Sequence, residues 1–150
     1  MLKRQTILIF QTQMLLDMVD KEKLNNEELQ EYLNDLIEIK YSIVNPEQDV
    51  TDEVVQLLIE KIIYETSMNS EIQYELLESL YRWSWFPCKE DNYLPLVNSL
   101  GLINHPANLI VALQILANSG KKTYLEIFEQ YLKNPNKNVR ETVKTILNIQ

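Results

Sequence analysis

The sequence predicts an all-α chain of about seven to eight helices folded as antiparallel hairpins. Three observations predict it. Among 150 residues there are only two glycines and five prolines, little material for tight β-turns, while Leu, Ile, Glu, Lys, Gln and Asn dominate and favour helix. Apolar residues recur at i, i+3, i+4 and i+7 along most of the chain, the stripe of an amphipathic helix. Near the end, Tyr93-Leu94-Pro95-Leu96-Val97-Asn98-Ser99-Leu100 lines up, at an offset of 31 residues, with Tyr124-Leu125-Glu126-Ile127-Phe128-Glu129-Gln130-Tyr131. A period in that range marks stacked helical repeats. A chain of this length with 45% hydrophobic residues is expected to be one domain with a substantial core. Residues 1–50 read as N-terminal helices and residues 51–150 as three hairpins.

The first helix is expected over residues 4–20, where Ile7, Leu8, Phe10, Met14, Leu15, Met18 and Val19 form a wide apolar stripe. Asn25 or Asn26 can cap a second helix over residues 27–44, with Glu27 and Glu28 at its positive end. Asn45-Pro46 ends it. Thr51 is expected to cap the third helix, with Asp52 and Glu53 in its first turn. Val54, Leu57, Leu58, Lys61 and Ile62 make its inner face, Lys61 being the polar exception. Ser70-Glu71-Ile72-Gln73 reads as a capping box opening the fourth helix. There Ile72, Leu76, Leu80 and Trp83 make one stripe, and Tyr74, Leu77 and Tyr81 a second. Residues 83–92 form the one long irregular connection, and both tryptophans fall in it. Pro95 is tolerable in the first turn of a fifth helix starting near Tyr93. The sixth helix, residues 108–118, is apolar at every angle except Gln114, so it is expected to be covered on all sides. The seventh spans residues 123–133. Asn134-Pro135-Asn136 breaks the chain because proline cannot continue the helical ladder. The eighth runs from Lys137 to about Ile149 on a stripe of Val139, Val143, Ile146 and Leu147.

The stretch Asn134-Pro135-Asn136-Lys137-Asn138-Val139-Arg140 resembles the turn and helix start of HEAT repeats, whose pattern is Asp-Pro-Asp-Pro-Glu-Val-Arg. Pro135, Val139 and Arg140 match it, and Asn134 stands where the family has Asp. The preceding copy, from Asn104, has Ile110 for the arginine, and the copy from Ser67 has Gln73. The resemblance is best over residues 122–149, fair over 92–150 and faint over about 100 residues. It implies a short right-handed α-α superhelix of HEAT-like hairpins that binds protein or nucleic acid. It also implies a cap at Asn134 and, in the family, pairing of the Asp and Arg between neighbouring repeats, a ladder that Asn134 lacks the charge to make.

Composition narrows the function. The single cysteine, Cys88, excludes an internal disulfide and argues against a Cys-ligated zinc site. No apolar run approaches the ~20 residues of a membrane helix, and Gln5, Gln11, Thr12 and Gln13 interrupt what would be a signal-peptide core. A cytoplasmic protein that does not span a membrane is expected. His105, the only histidine, sits in a turn before Pro106 and reads as structural. Gly101 and Gly120 are isolated, so no phosphate-cradling loop is present. Carboxylate pairs such as Glu27/Glu31 and Glu71/Glu75 read as solvated helix faces. No catalytic constellation, metal or cofactor is expected, and the chain reads as a non-enzyme.

Charge is the positive signal. The net charge is −8, but residues 24–91 hold sixteen acidic and four basic side chains, a net of −12, while residues 92–150 carry +3. Such a field repels phosphate and attracts a basic protein. Beside the acidic block stand Tyr81, Arg82, Trp83, Trp85 and Phe86, of the residue types that dominate binding hot spots. Trp83 falls on the inner stripe, whereas Trp85 and Phe86 could serve either core or contact. The candidate partner-binding residues are therefore Glu71, Glu75, Glu78, Tyr81, Arg82, Trp85 and Phe86. A protein that docks a basic partner on this surface, as an inhibitor or toxin-neutralising immunity protein does, fits best. Two alternatives are a scaffold that self-associates through its C-terminal repeat, and a HEAT-like nucleic-acid binder, including glycosylases built on such repeats. Only Lys121, Lys122, Lys133, Lys137, Arg140 and Lys144 support the last, which the overall charge disfavours.

Overall fold

The computed structural model describes residues 46–64 and 70–149, together with Glu27 and Glu31, which are helical and exposed. Among the described residues there are six α-helices and no strand. They are α1 (Gln48–Tyr64), α2 (Ser70–Trp83), α3 (Leu94–Asn98), α4 (Pro106–Gly120), α5 (Leu125–Tyr131) and α6 (Lys137–Leu147). Short 3-10 turns at Glu90–Tyr93 and Leu100–Leu102 flank α3. The all-α expectation therefore holds. The helices expected at 4–20 and 27–44 lie outside the described residues, apart from Glu27 and Glu31.

The first helix of this set begins at Gln48 rather than after Thr51. The Asp49 carboxylate accepts the Val50 N–H at 3.0 Å, which places an acceptor at the positive end one turn early. Thr51 then lies inside the helix, fully buried, with its hydroxyl donating to Glu47 O at 3.1 Å. The expected cap at Thr51 is thus corrected. Val54, Leu58 and Ile62 are buried as their spacing predicts, and Val50, Val55 and Ile59 are buried beside them. Lys61 is buried too, its ammonium 4.4 Å from the centre of the Tyr64 ring.

Helix α2 carries the core stripe Ile72, Leu76, Leu80 and Trp83, with Leu77 and Ser79 also buried. The capping box expected at its start is replaced by a tertiary bridge. Gln73 turns inward, donates from Nε2 to Ile62 O at 3.4 Å and accepts the Asn108 amide at 2.8 Å. Asn108 also donates to Ser70 O at 3.1 Å. Buried amides need partners, and here each supplies the other's, tying α1, α2 and α4 together.

The fifth expected helix is cut short. Ser99 sits at φ −108°, ψ 2°, and the chain continues as 3-10 turns with Ser99 N–H on Leu96 O and Leu102 N–H on Ser99 O. Pro95 lies in the first turn, where its missing N–H costs no ladder bond, but the chain turns out of the helix at Ser99 and Gly101 resists helix, so the expected continuous helix stops at Asn98. Helix α4 begins at Pro106, a proline in the first turn after an extended His105. Its Leu109, Val111, Ala112, Leu113, Ile115 and Leu116 are all buried. It packs against α2 on one side and α6 on the other, which is the cover its apolar circumference demands.

Residues 121–124 form a turn, so α5 is shorter than its apolar pattern and buries Phe128. Tyr124, just before it, is buried as well. The turn before α6 corrects the expected cap. Asn136, not Asn134, caps the helix, its Oδ1 accepting from Asn138 N and Val139 N at 2.9 and 3.2 Å. Asn134 accepts from Asn136 N at 2.9 Å, an Asx turn. The Arg140 guanidinium reaches back to Asn134 O and Pro135 O at 2.8 and 2.9 Å. It locks its own turn and makes no ladder. Val139 and Val143 are buried and Ile146 and Leu147 half-buried. Asn148, at φ 57°, closes α6 in the left-handed conformation, with Ile149 N–H on Lys144 O at 2.9 Å.

Helix α1 packs on α2 and α5 packs on α6, while α2, α4 and α6 lie side by side. Helix α1 also contacts Glu90–Tyr93 and α3. One Asp52 oxygen accepts Lys89 N–H at 2.8 Å and Asn92 Nδ2 at 2.7 Å, and Gln56 Nε2 donates to Asn92 Oδ1 at 2.9 Å. These bonds pin the long connection to α1.

Candidate functional site

Helical spacing brings most of the candidate residues onto one face. Glu71, Glu75, Glu78 and Arg82 follow one another at three- and four-residue intervals on α2, hence along one side. Glu71 and Arg82 are exposed, and Glu75 and Glu78 half-buried. Tyr74 and Tyr81 flank that line. Burial first, and then the neighbouring Glu78 and Glu75 carboxylates, push the Tyr74 phenol above its ordinary pKa. The negative potential on this face is therefore felt by its own aromatic rim.

The chain leaves α2 in a tight turn, with Phe86 N–H on Trp83 O at 3.0 Å. That turn separates the two tryptophans. Trp83 is 1% exposed and Trp85 59%. The Tyr81 ring meets Trp85 edge-on at 5.9 Å and 87°, so Trp85 is propped outward. Phe86 goes the other way. It is half-buried, packs on Trp83 at 6.2 Å and 68°, and lies under the Arg82 guanidinium at 5.6 Å. Of the aromatic candidates, Trp85 is the one exposed to solvent, against Tyr81, while Phe86 packs inward on Trp83.

Two hollows border this surface, and neither is visible in the sequence. One, of about 380 Å³, lies between the starts of α2 and α4 and is lined by Ser70, Glu71, Tyr74, Glu75, His105 and Asn108. It adds Tyr74 and His105 to the acidic face. Only the α2–α4 register, set by Gln73 and Asn108, joins them. The other, of about 230 Å³, opens beneath Trp85, where the turn after α2 meets Tyr93, Asn118 and Ser119. Residues 35 positions apart cannot be paired by periodicity within one helix.

Cys88 lines that second hollow half-buried. Burial pushes its thiol pKa upward, partly opposed by Tyr93 and Asn92, so it stays a thiol at neutral pH rather than a reactive thiolate. Among the described residues no group of three or more His, Cys, Asp and Glu side chains is placed to hold a metal ion, and no helix is long and apolar enough to cross a membrane. Arg140 is bonded to its own turn, and Lys144 pairs with Glu141 at 3.5 Å.

Comparison with protein-family models, with characterised proteins and with solved structures finds no match.

Proposed function

We propose that this chain is a non-enzymatic protein-binding module, a short row of HEAT-like hairpins whose acidic α2 face docks a basic protein. The observation that carries the reading is the line Glu71–Glu75–Glu78 on one helix side, ending at the outward-propped Trp85. A carboxylate row steers a basic partner toward the surface, and an exposed tryptophan supplies a central anchor once water is displaced. An inhibitor or immunity-type protein that neutralises a basic toxin in the cytoplasm is the most concrete form of such a module.

The packing of α2 on α4 and of α4 on α6, together with the contact of α1 with α3, supports the HEAT-like superhelix. So do the proline-containing turns before α4 and α6. The scaffold reading has less support. The outer face of α6 presents Lys137, Asn138, Glu141 and Thr145 to solvent, a polar face that offers a second copy little apolar area. The nucleic-acid reading is weakened by the engaged Arg140 and Lys144.

The test is capture of a partner by the full chain and by a triple Glu71→Lys, Glu75→Lys, Glu78→Lys variant. The variant should fold and lose the partner by at least about a hundredfold in affinity, since removing several steering charges and adding repulsion amounts to several kcal/mol. Undiminished binding by a folded variant contradicts the proposal.

A further inference from the structure

The hollow of about 380 Å³ between the starts of α2 and α4 is lined by one sealed polar side chain, Asn108, which is 1% exposed. Its hydrogen-bonding sense is fixed by its neighbours. Ile62 O can only accept, so Gln73 presents Nε2 to it, at 3.4 Å. Gln73 Oε1 is then left for Asn108 and takes one hydrogen of its amide at 2.8 Å. Ser70 O, another obligate acceptor, takes the second at 3.1 Å. Both amide hydrogens are spent, and no donor among the described residues reaches Asn108 Oδ1. What this side chain can offer an occupant of the hollow is an acceptor alone.

The charges around it decide the sign of that occupant. Glu71 and Glu75 line the same hollow and bring two full negative charges. The starts of α2 and α4 oppose them, each with about half a positive charge, so roughly half of the carboxylate charge is left over. The Ser70 hydroxyl and the His105 imidazole can each present an acceptor and do not turn a cation away. The Tyr74 ring completes the lining, and an aromatic face attracts cations. Its phenol is raised in pKa by burial first and then by Glu78 and Glu75, which reports the same negative field.

We propose that this hollow receives a cationic side chain of the partner, set against the Glu71 and Glu75 carboxylates, with Asn108 Oδ1 accepting a hydrogen bond from it and the Tyr74 ring beside it. This rests on the acidic-face reading and names the place on that face where the partner inserts.

The experiment is an NMR titration of the isotopically labelled full chain at constant ionic strength. The probes are n-butylammonium and n-propylguanidinium, with n-propylurea as the neutral comparison. His105 is the only histidine, so its ring signals report on the hollow without ambiguity. Those signals and the Asn108 side-chain amide should shift saturably, with the Trp85 indole unmoved. Glu75→Gln should weaken cation binding by about two- to fivefold, the scale of one exposed ion pair, and the urea, which forgoes both carboxylates, should bind at least about fivefold more weakly. Ala107 is exposed on the lining. Ala107→Trp fills the hollow without touching a carboxylate and should abolish the shifts. Equal binding of the urea, saturable shifts centred elsewhere, no saturable shift, or cation binding unchanged in a folded Glu75→Gln or Ala107→Trp chain overturns the proposal. A response to one cation alone upholds it and names the side chain. Partner capture separates the two readings. A folded Ala107→Trp chain should lose the partner by at least about tenfold, the scale of one contact at a binding hot spot. If it keeps the partner while the triple Glu-to-Lys variant loses it, the hollow assignment falls and the acidic face stands. If the triple variant keeps the partner as well, the acidic-face reading falls and takes the hollow's part in docking with it.

Discussion

At the residue scale, the same side-chain type has opposite roles two positions apart. Trp83 is sealed in the core and Trp85 stands in solvent. Trp83→Ala should cost about 3–5 kcal/mol of stability, whereas Trp85→Ala should change it by less than about 0.5 kcal/mol. Urea unfolding of both variants checks the pair. Gln73 offers a second test. Gln73→Leu takes one of the two acceptors from the Asn108 amide and the donor from Ile62 O, which should destabilise by about 1–3 kcal/mol. Adding Asn108→Leu should recover part of that loss, and a double-mutant cycle reads it. The inward stripe ending at Trp83 was legible from spacing, as was the burial of Lys61 on the inner face of its helix. The role of Gln73 was not. Ser-x-x-Gln has the pattern of a capping box, and only the proximity of Asn108, 35 residues later, gives the glutamine a better use. Asn134 misled for a related reason. Two asparagines flank Pro135, and which one caps depends on backbone angles that the residue types leave open.

At the element scale, sequence periodicity succeeded where helices are long and failed where they are short. The all-round apolar helix, α4, lies between α2 and α6 as its composition requires. The repeat offset that aligned residues 93–100 with 124–131 is real as a pattern. Yet it yields a five-residue α3 with 3-10 turns in one copy and a seven-residue α5 in the other. The turn at Ser99 and Gly101 shorten the first, and the turn at 121–124 trims the second. This makes Gly101 a site for improvement. It is exposed, has no positive φ, and a Cβ there would meet nothing within 4 Å. Gly101→Ala should therefore stabilise by about 0.4–1 kcal/mol, through loss of unfolded-state freedom. A raised thermal midpoint is the expected outcome, and a lowered one would mean that the turn needs glycine.

At the scale of the whole molecule, stability should depend on pH in the alkaline range. Burial pushes the phenols of Tyr93, Tyr124, Tyr131 and Tyr74 upward. The unfolded chain ionises these groups first, near the ordinary value of about 10, and so binds fewer protons there than the folded chain. Their contribution is fully present below that pH and is lost as pH rises through the folded values. Unfolding should become easier above about pH 10, with phenolate absorbance appearing together with loss of helix. Tyrosines that titrate freely in the folded state would contradict it. The charge map behaves differently. Its division into an acidic centre and a mildly basic end was legible from counting alone. That three of its carboxylates, Glu71, Glu75 and Glu78, share one side of α2 followed from helical spacing. The two hollows beside it were not legible, because each needs residues from separate helices in register.

The most direct measurement of the central claim is the salt dependence of partner affinity, compared between the native chain and the triple Glu-to-Lys variant of α2. If the acidic face docks a basic protein, affinity for one stoichiometric partner falls steeply as salt rises, and the variant loses both the affinity and the slope. An affinity that is flat with salt, or a slope retained by the variant, places the binding surface elsewhere on the molecule.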